Sequence, residues 1–130
     1  MPHRFKKHYT RDEARALLPS LRRWLEELAA STAIIREAEQ QMTAMFAQAD
    51  AIGGEMVNRW ARAMAKAQAI FRKFEVRSIQ IKDLDRGLVD FPAFVAGREA
   101  FLCWEKDEED IEFWHDIDTG YEGRERLEES

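Results

Sequence analysis

The spacing of the apolar residues changes once along the chain, and that change restricts the fold more than any other feature of the sequence. Apolar residues recur every three or four positions from Ser20 to about Ala49 and again from Met56 to Phe74, which is the spacing of an amphipathic helix. Gly53 and Gly54 separate the two stretches. So short a break predicts an antiparallel helical hairpin.

The pattern after Glu75 is typical of strands. Ile79 and Ile81 alternate with polar residues, and the segments 98–105 and 111–117, separated by an acidic turn, predict a β-hairpin. Helices followed by strands indicate an α+β fold: a kinked N-terminal helix and a long antiparallel helical hairpin, then a small antiparallel β-sheet. The 130 residues predict one domain, with a hairpin part at 10–75, a β part at 76–124 and an acidic tail at 125–130.

The start of the first helix is marked by a capping box. Thr10 is followed three positions later by Glu13, so each side chain can bond a backbone amide of the other residue. The helix is therefore predicted to begin at Arg11. Pro19 lacks an amide hydrogen and predicts a kink or a fresh start.

Composition indicates the class of protein and its compartment. Hydrophobic residues at 45% and charged residues at 35% are typical of a globular protein. No apolar run approaches the roughly 20 residues of a membrane helix, and the basic segment MPHRFKKHYT leads into no apolar stretch of a secretory signal. Cys103 is the only cysteine, which excludes an intramolecular disulfide, so we expect a cytoplasmic protein.

The net charge of −5 is unevenly distributed. Residues 105–130 contain twelve acids and three bases, a local charge that repels phosphates, so we expect no nucleic-acid partner. Basic residues on the second predicted helix favour a solvated face, since acids on the first helix can lie beside them. These bases are Arg59, Arg62, Lys66 and Lys73.

The length of the predicted helices indicates a homodimer. A helix of about thirty residues is about 45 Å long, whereas a compact domain of this size is roughly 36 Å across. Part of the apolar stripe would then have no cover within one chain. Pairing two hairpins into a four-helix bundle would cover it.

His115 and Asp90 are the candidate catalytic residues. As a strand, FWHDI places His115 on the same face as apolar side chains, either as a core residue or as a base or metal ligand. Asp90 lies in GLVDFP, which is too apolar for a solvated acid. It either accepts hydrogen bonds from the amides of the following turn or pairs with His115.

Other site chemistry has less support in the sequence. A mononuclear site for a divalent metal ion would use His115, Asp90 and Asp118, whereas Cys103 is expected to be a small buried apolar residue. No helix carries the E-x-x-H motif of di-iron bundles, and neither the G-x-S-x-G motif nor a glycine-rich phosphate loop is present.

Four motifs together resemble a known family: YTRDEARALLP, IKDLDRGLVDFP, LCWE and FWHDIDTGYEGR. Over nearly the whole chain the sequence is similar to the prokaryotic domain-of-unknown-function family 2203. The chain departs from that pattern at KDEED and at Glu125 and Arg126, near the last two strands. The positions that carry the resemblance are Lys82, Leu84, Gly87, Asp90, Phe91, Pro92, Cys103, Trp104, Trp114, His115, Gly120, Gly123 and Arg124.

The resemblance implies no established activity, but the polar positions Lys82, Asp90, His115 and Arg124 all fall in the β part. Two hypotheses follow. In the first, the protein is a dimeric interaction protein whose sheet binds a partner or ligand. In the second, Asp90 and His115, with Lys82, Asp118 and Arg124 as binding residues, form a small-molecule or metal-dependent hydrolase-like site.

Overall fold

The computed structural model describes residues 3–48 and 53–128 and has two helices followed by a five-stranded sheet. The helices are α1 (Arg11–Ala47) and α2 (Gly54–Glu75). The strands are β1 (Gln80–Asp83), β2 (Leu88–Val95), β3 (Arg98–Glu105), β4 (Phe113–Asp116) and β5 (Glu125–Arg126), with a 3₁₀ turn at Tyr121–Gly123. The predicted α+β fold is confirmed.

Helix α1 begins at the predicted capping box. The Glu13 amide donates to Thr10 Oγ1 at 3.1 Å, and the Thr10 amide donates to Glu13 Oε1 at 2.9 Å. The helix then continues through Pro19, so no fresh helix starts there. The proline removes one backbone hydrogen bond, and burial of Leu18 and Leu21 on either side of it favours the continuous helix.

The chain forms two compact units. One unit combines the residues up to Arg22 with those from Phe74 onwards, and the other is Arg23–Lys73. The first turns of α1 therefore belong to the same unit as the sheet.

The sheet is an antiparallel meander in the order β1-β2-β3-β4-β5. Ala96 and Gly97, with φ of 52° and 77°, form the two-residue turn between β2 and β3. The predicted hairpin of 98–105 with 111–117 is present as β3 and β4. Residues 125 and 126, predicted as tail, pair with β4.

One face of the sheet packs against the start of α1. Val89, Phe91 and Trp104 on this face are fully buried. The Tyr9 ring meets Phe91 edge-on at 5.4 Å, and the Arg22 guanidinium lies 5.3 Å from the Trp104 ring. This face of the sheet therefore forms an apolar core with the start of the chain.

The second unit is an antiparallel helical hairpin, as predicted. The Trp60 Nε1–H donates to Glu39 Oε2 at 3.4 Å, and Lys73 lies 5.5 Å from the Trp24 ring. A residue late in α1 thus contacts a residue early in α2, and a residue earlier in α1 contacts one late in α2, so the two helices are antiparallel. Across residues 3–48 and 53–128, neither helix is apolar enough over a sufficient length to cross a membrane.

Candidate functional site

Asp90 and His115 approach each other across the middle strand of the sheet. Asp90 on β2 is paired in register with Cys103 on β3, and Phe101 on β3 is paired with His115 on β4. Paired residues of an antiparallel sheet share a face, so all four side chains lie opposite the α1 face. Because β2 and β4 are two strand spacings apart, about 10 Å, the two side chains reach each other only by leaning over β3.

The contact between them is a buried hydrogen bond. His115 Nε2 lies 2.9 Å from Asp90 Oδ2, and the two residues are 3% and 1% exposed. His115 Nδ1 lies 2.8 Å from the backbone carbonyl oxygen of Asp116, which can only accept. Nδ1 therefore carries a hydrogen, and one further proton lies between Nε2 and Oδ2.

Two opposing effects set the pKa of His115. Burial lowers it, but the hydrogen bonds to Asp90 and to the Asp116 carbonyl outweigh burial and raise the pKa above the ordinary 6.5. The contact with Asp90 thus favours the protonated form of His115. The alternative considered from the sequence, in which turn amides hold Asp90, does not describe the arrangement seen.

Cys103 joins this pair, which sequence reasoning missed. Ligand atoms of Asp90, Cys103 and His115 all lie within 4.8 Å of one another, and all three residues are buried. Burial, assisted by the Asp90 carboxylate, raises the pKa of the Cys103 thiol to about 12, so the thiol is protonated. Had Ala96 and Gly97 been identified as a two-residue turn, counting back along both strands would have placed Cys103 opposite Asp90.

A cavity of about 160 Å³ opens beside the cluster, with room for about five water molecules. Asp90 Oδ1 is buried and has no hydrogen-bond partner in the part of the chain that the structure describes. A carboxylate oxygen without a partner is an unmet acceptor next to this space. The lining residues are Lys82, Leu88, Asp90, Phe101, Cys103, His115, Ile117, Thr119, Gly120 and Tyr121.

Lys82 is the one predicted binding residue that lines the cavity. Its side chain is exposed, and its Nζ lies 5.6 Å from the Phe101 ring. Its positive charge also acts against protonation of His115. Lys82 therefore stands at the entrance and not in the buried cluster.

Arg124 is predicted as a binding residue but packs beside the cavity without lining it. Its guanidinium stacks on Phe113 at 3.6 Å and Tyr121 at 4.6 Å and forms an ion pair with Glu108. These contacts hold the 3₁₀ turn in place beside the cavity, since Tyr121 belongs to that turn and also lines the cavity.

Asp118 does not lie with Asp90 and His115. Its side chain is 91% exposed and faces Arg4 at 3.9 Å, and it is absent from the cavity lining. The metal set predicted from Asp90, His115 and Asp118 is therefore not assembled, and Cys103 lies near the other two instead of Asp118.

The arrangement limits the chemistry at His115. Neither ring nitrogen presents a free lone pair to the cavity, because Nδ1 bonds Asp116 and Nε2 bonds Asp90. Asp90 Oδ1, which has no hydrogen-bond partner among the described residues, remains available to a ligand, and Lys82, Thr119 and Tyr121 add polar groups to the same lining. The functional oxygen is thus that of Asp90. It can accept a hydrogen bond or coordinate a cation.

No curated protein and no solved structure matches the chain. The family described as "Uncharacterized conserved protein (DUF2203)" matches residues 7–127, a range that contains the cavity and its whole polar cluster. The resemblance seen in the sequence motifs is confirmed. The chain belongs to the DUF2203 family.

Proposed function

We propose that the protein is a homodimeric binding protein, in which the sheet unit takes a small ligand and the helical hairpin joins two copies. The observation that carries the ligand site is the buried, unpartnered Oδ1 of Asp90 beside the cavity. Leaving such an atom unsatisfied is unfavourable by about 1–3 kcal/mol. A ligand that donates a hydrogen bond or carries positive charge would recover this energy.

The same geometry supports binding over a hydrolase-like reaction at His115. A general base must offer a lone pair to the proton that it removes, and both ring nitrogens of His115 are already engaged. A nucleophilic thiol must be ionised, whereas the raised pKa keeps Cys103 protonated.

The hairpin supports the dimer because no large side chain is buried among the described residues of the hairpin nearer to the connection between the two helices. Within residues 29–48 and 54–69, the buried residues are Ser31 and the alanines Ala38, Ala63 and Ala67. At the same end Phe46 and Val57 are exposed, at 73% and 41%, and the other large apolar side chains are half-buried. Exposed apolar surface of this kind is typical of an interface.

Charge favours a second copy as the partner of this surface. Residues 23–47 of α1 contain four acids and two bases, whereas residues 54–73 of α2 contain one acid and five bases. Antiparallel packing of two hairpins would set the acidic helix of one copy against the basic helix of the other.

We also propose the cytoplasm as the compartment, since the one cysteine is an unpaired, buried thiol. Nucleic acid is not a partner in this proposal. The twelve acids against three bases in residues 105–130 would repel its phosphates.

The ligand site is tested by thermal denaturation with a panel of small cations: primary amines, guanidinium and divalent metal ions. We expect at least one of them to raise the melting temperature of the wild type but not of Asp90→Asn. Asparagine keeps the shape of Asp90 and can donate to a neutral His115, but it removes the charge. The control is Asp118→Asn, an exposed acid of the neighbouring loop, which should behave as wild type. Equal stabilisation of Asp90→Asn, or none of the wild type, would contradict the site.

The dimer is tested by sedimentation equilibrium at micromolar concentration. The chain mass is 15.2 kDa, and we expect twice that mass for the wild type. Phe46→Glu should shift the mass toward the monomer, because a charge at the interface is unfavourable. Gln48→Glu adds the same charge at an exposed polar position and is the control. A monomeric wild type would refute the assembly.

A further inference from the structure

The three buried side chains beside the cavity are all metal-ligand types. Asp90, Cys103 and His115 offer a carboxylate oxygen, a sulfur and an imidazole nitrogen within 4.8 Å of one another. In a tetrahedral zinc complex, bond lengths of about 2.0–2.3 Å place neighbouring ligand atoms about 3.3–3.6 Å apart. Bringing the three atoms onto one ion therefore requires shifts of about 1 Å, which side-chain torsions can supply.

The hydrogen bond at the far side of His115 matches the way in which proteins hold a metal-binding histidine. Metal-bound histidines usually donate their other ring N–H to a carbonyl or carboxylate, which fixes the tautomer and the ring orientation. His115 Nδ1 donates to the Asp116 carbonyl at 2.8 Å. Nε2 is thus the nitrogen whose proton a metal ion would replace.

Charge balance also favours a divalent ion. A metal binds the neutral imidazole, the thiolate and the carboxylate, so binding would release two protons to solvent, one from the Cys103 thiol and one from between His115 Nε2 and Asp90 Oδ2. One divalent ion with the deprotonated Cys103, ionised Asp90 and neutral His115 has a net charge of zero. A buried site tolerates this neutral combination far better than an isolated charge.

The ligand types indicate which divalent ion. Ca²⁺ and Mg²⁺ require mostly oxygen ligands, and the cluster offers one carboxylate. One sulfur, one nitrogen and one oxygen suit Zn²⁺ or Co²⁺, and three protein ligands leave a fourth position for water or a small molecule. The cavity of about 160 Å³ is lined by all three residues and offers space for that fourth ligand.

We infer that the ligand of this cavity is a divalent transition-metal ion held by Asp90, Cys103 and His115, with an exchangeable fourth position facing the cavity. The buried Asp90 Oδ1, which has no hydrogen-bond partner among the described residues, also fits a cationic ligand at this cluster. This inference rests on the ligand site proposed above and names its ligand class.

The test is titration of chelator-treated full-length protein with Zn²⁺ against a chromophoric competitor, and with Co²⁺ by optical spectroscopy. We expect one ion per chain and a thiolate-to-cobalt charge-transfer band. Loss of groups that only support a metal ligand weakens binding about 10–100-fold, so loss of a ligand should weaken it by at least that factor. Asp90→Asn, His115→Ala and Cys103→Ser are the variants, and Asp118→Asn is the matched control with unchanged affinity.

Cys103→Ser keeps the test valid if a variant of the buried ion pair does not fold, because it preserves side-chain size. It should lose the charge-transfer band as well as affinity. The inference is overturned if no stoichiometric ion binds, if the band is absent in the wild type, or if Cys103→Ser binds as tightly as wild type. Stabilisation by amines or guanidinium without metal binding overturns the metal assignment and leaves the ligand site standing, whereas no stabilisation by any cation removes both.

Discussion

Replacing Asp90 by leucine removes the carboxylate that faces His115 while keeping a side chain of similar size. In the native site, burial lowers the pKa of His115, but hydrogen bonds to Asp90 and the Asp116 carbonyl raise it above 6.5. Without Asp90, only the carbonyl opposes burial, so we expect the pKa to fall below 6.5. The neutral ring then keeps a buried Nε2 without a donor, which destabilises the fold by about 1–3 kcal/mol.

The pH dependence of this loss has a definite sign. A raised pKa in the native protein means that His115 stabilises the wild type fully below pH 6.5, and that this contribution is lost as the pH rises through the folded-state pKa. In Asp90→Leu, His115 of the unfolded chain becomes protonated below pH 6.5, whereas His115 of the folded protein stays neutral. The free energy of unfolding of the variant therefore decreases as the pH falls below 6.5, the pKa of histidine in the unfolded chain, by up to about 1.4 kcal/mol per pH unit.

The free-energy difference between wild type and variant should consequently grow as the pH falls, because up to about 1.4 kcal/mol per pH unit below 6.5 adds to the roughly 1–3 kcal/mol of the unpaired Nε2, and it should reach about 2–4 kcal/mol near pH 5.5. Urea denaturation followed by tryptophan fluorescence, with chelator present, measures it from about pH 8 to about pH 5.5. Asp118→Asn is the exposed control. In the double variant Asp90→Leu/His115→Leu the pH-dependent part should disappear, because neither position then carries a group whose protonation differs between the folded and unfolded states. Parallel stability curves for wild type and Asp90→Leu would refute the reasoning.

Three further predictions concern other parts of the sheet unit. A rise in the pKa of Cys103 from 9.0 to about 12 lowers the fraction of thiolate about a thousandfold. Iodoacetamide should therefore alkylate the metal-free native protein about a thousandfold more slowly than the urea-unfolded chain. Comparable rates would contradict this prediction. Burial acts to raise the pKa of Glu99, but hydrogen bonds from His8 and two backbone amides lower the pKa to about 2. The wild type should therefore lose stability as the pH falls from 4.5 toward 2 in an acid titration. A Glu99→Gln variant that loses as much stability over the same range would exclude this cause. Thr10→Ala should reduce the free energy of unfolding by about 1 kcal/mol because the cap of α1 is lost, measured by urea denaturation, and no change would mean that the cap does not stabilise the helix.

Local patterns in the sequence were sufficient to predict most of the fold. The Thr10–Glu13 capping box sets the start of α1, and the change from helical to alternating spacing near Glu75 separates helices from strands. The prediction of a fresh helix at Pro19 was wrong because burial of the neighbouring Leu18 and Leu21 stabilises the continuous helix despite the unfavourable proline. Propensity at a single residue is a weak guide when packing opposes it.

The site was predictable only where burial and charge conflict in the sequence itself. Asp90 in an apolar strand and His115 on an apolar face both require partners, which is why their contact could be anticipated. Cys103 raises no such conflict because a thiol can be buried in an apolar core without a partner. Its place beside Asp90 depends on strand register, which the Ala96–Gly97 turn sets. Asp118 lies only three positions beyond His115 but past the end of β4, so its side chain turns to solvent.

X-ray absorption spectroscopy of the zinc-loaded full-length protein tests the account most directly, because it identifies the atoms around the ion. Coordination by Asp90, Cys103, His115 and one exchangeable ligand predicts one sulfur at about 2.3 Å and three nitrogen or oxygen atoms at about 2.0–2.2 Å. A shell without sulfur, or a protein that retains no zinc, would contradict a metal-binding site on this face of the sheet.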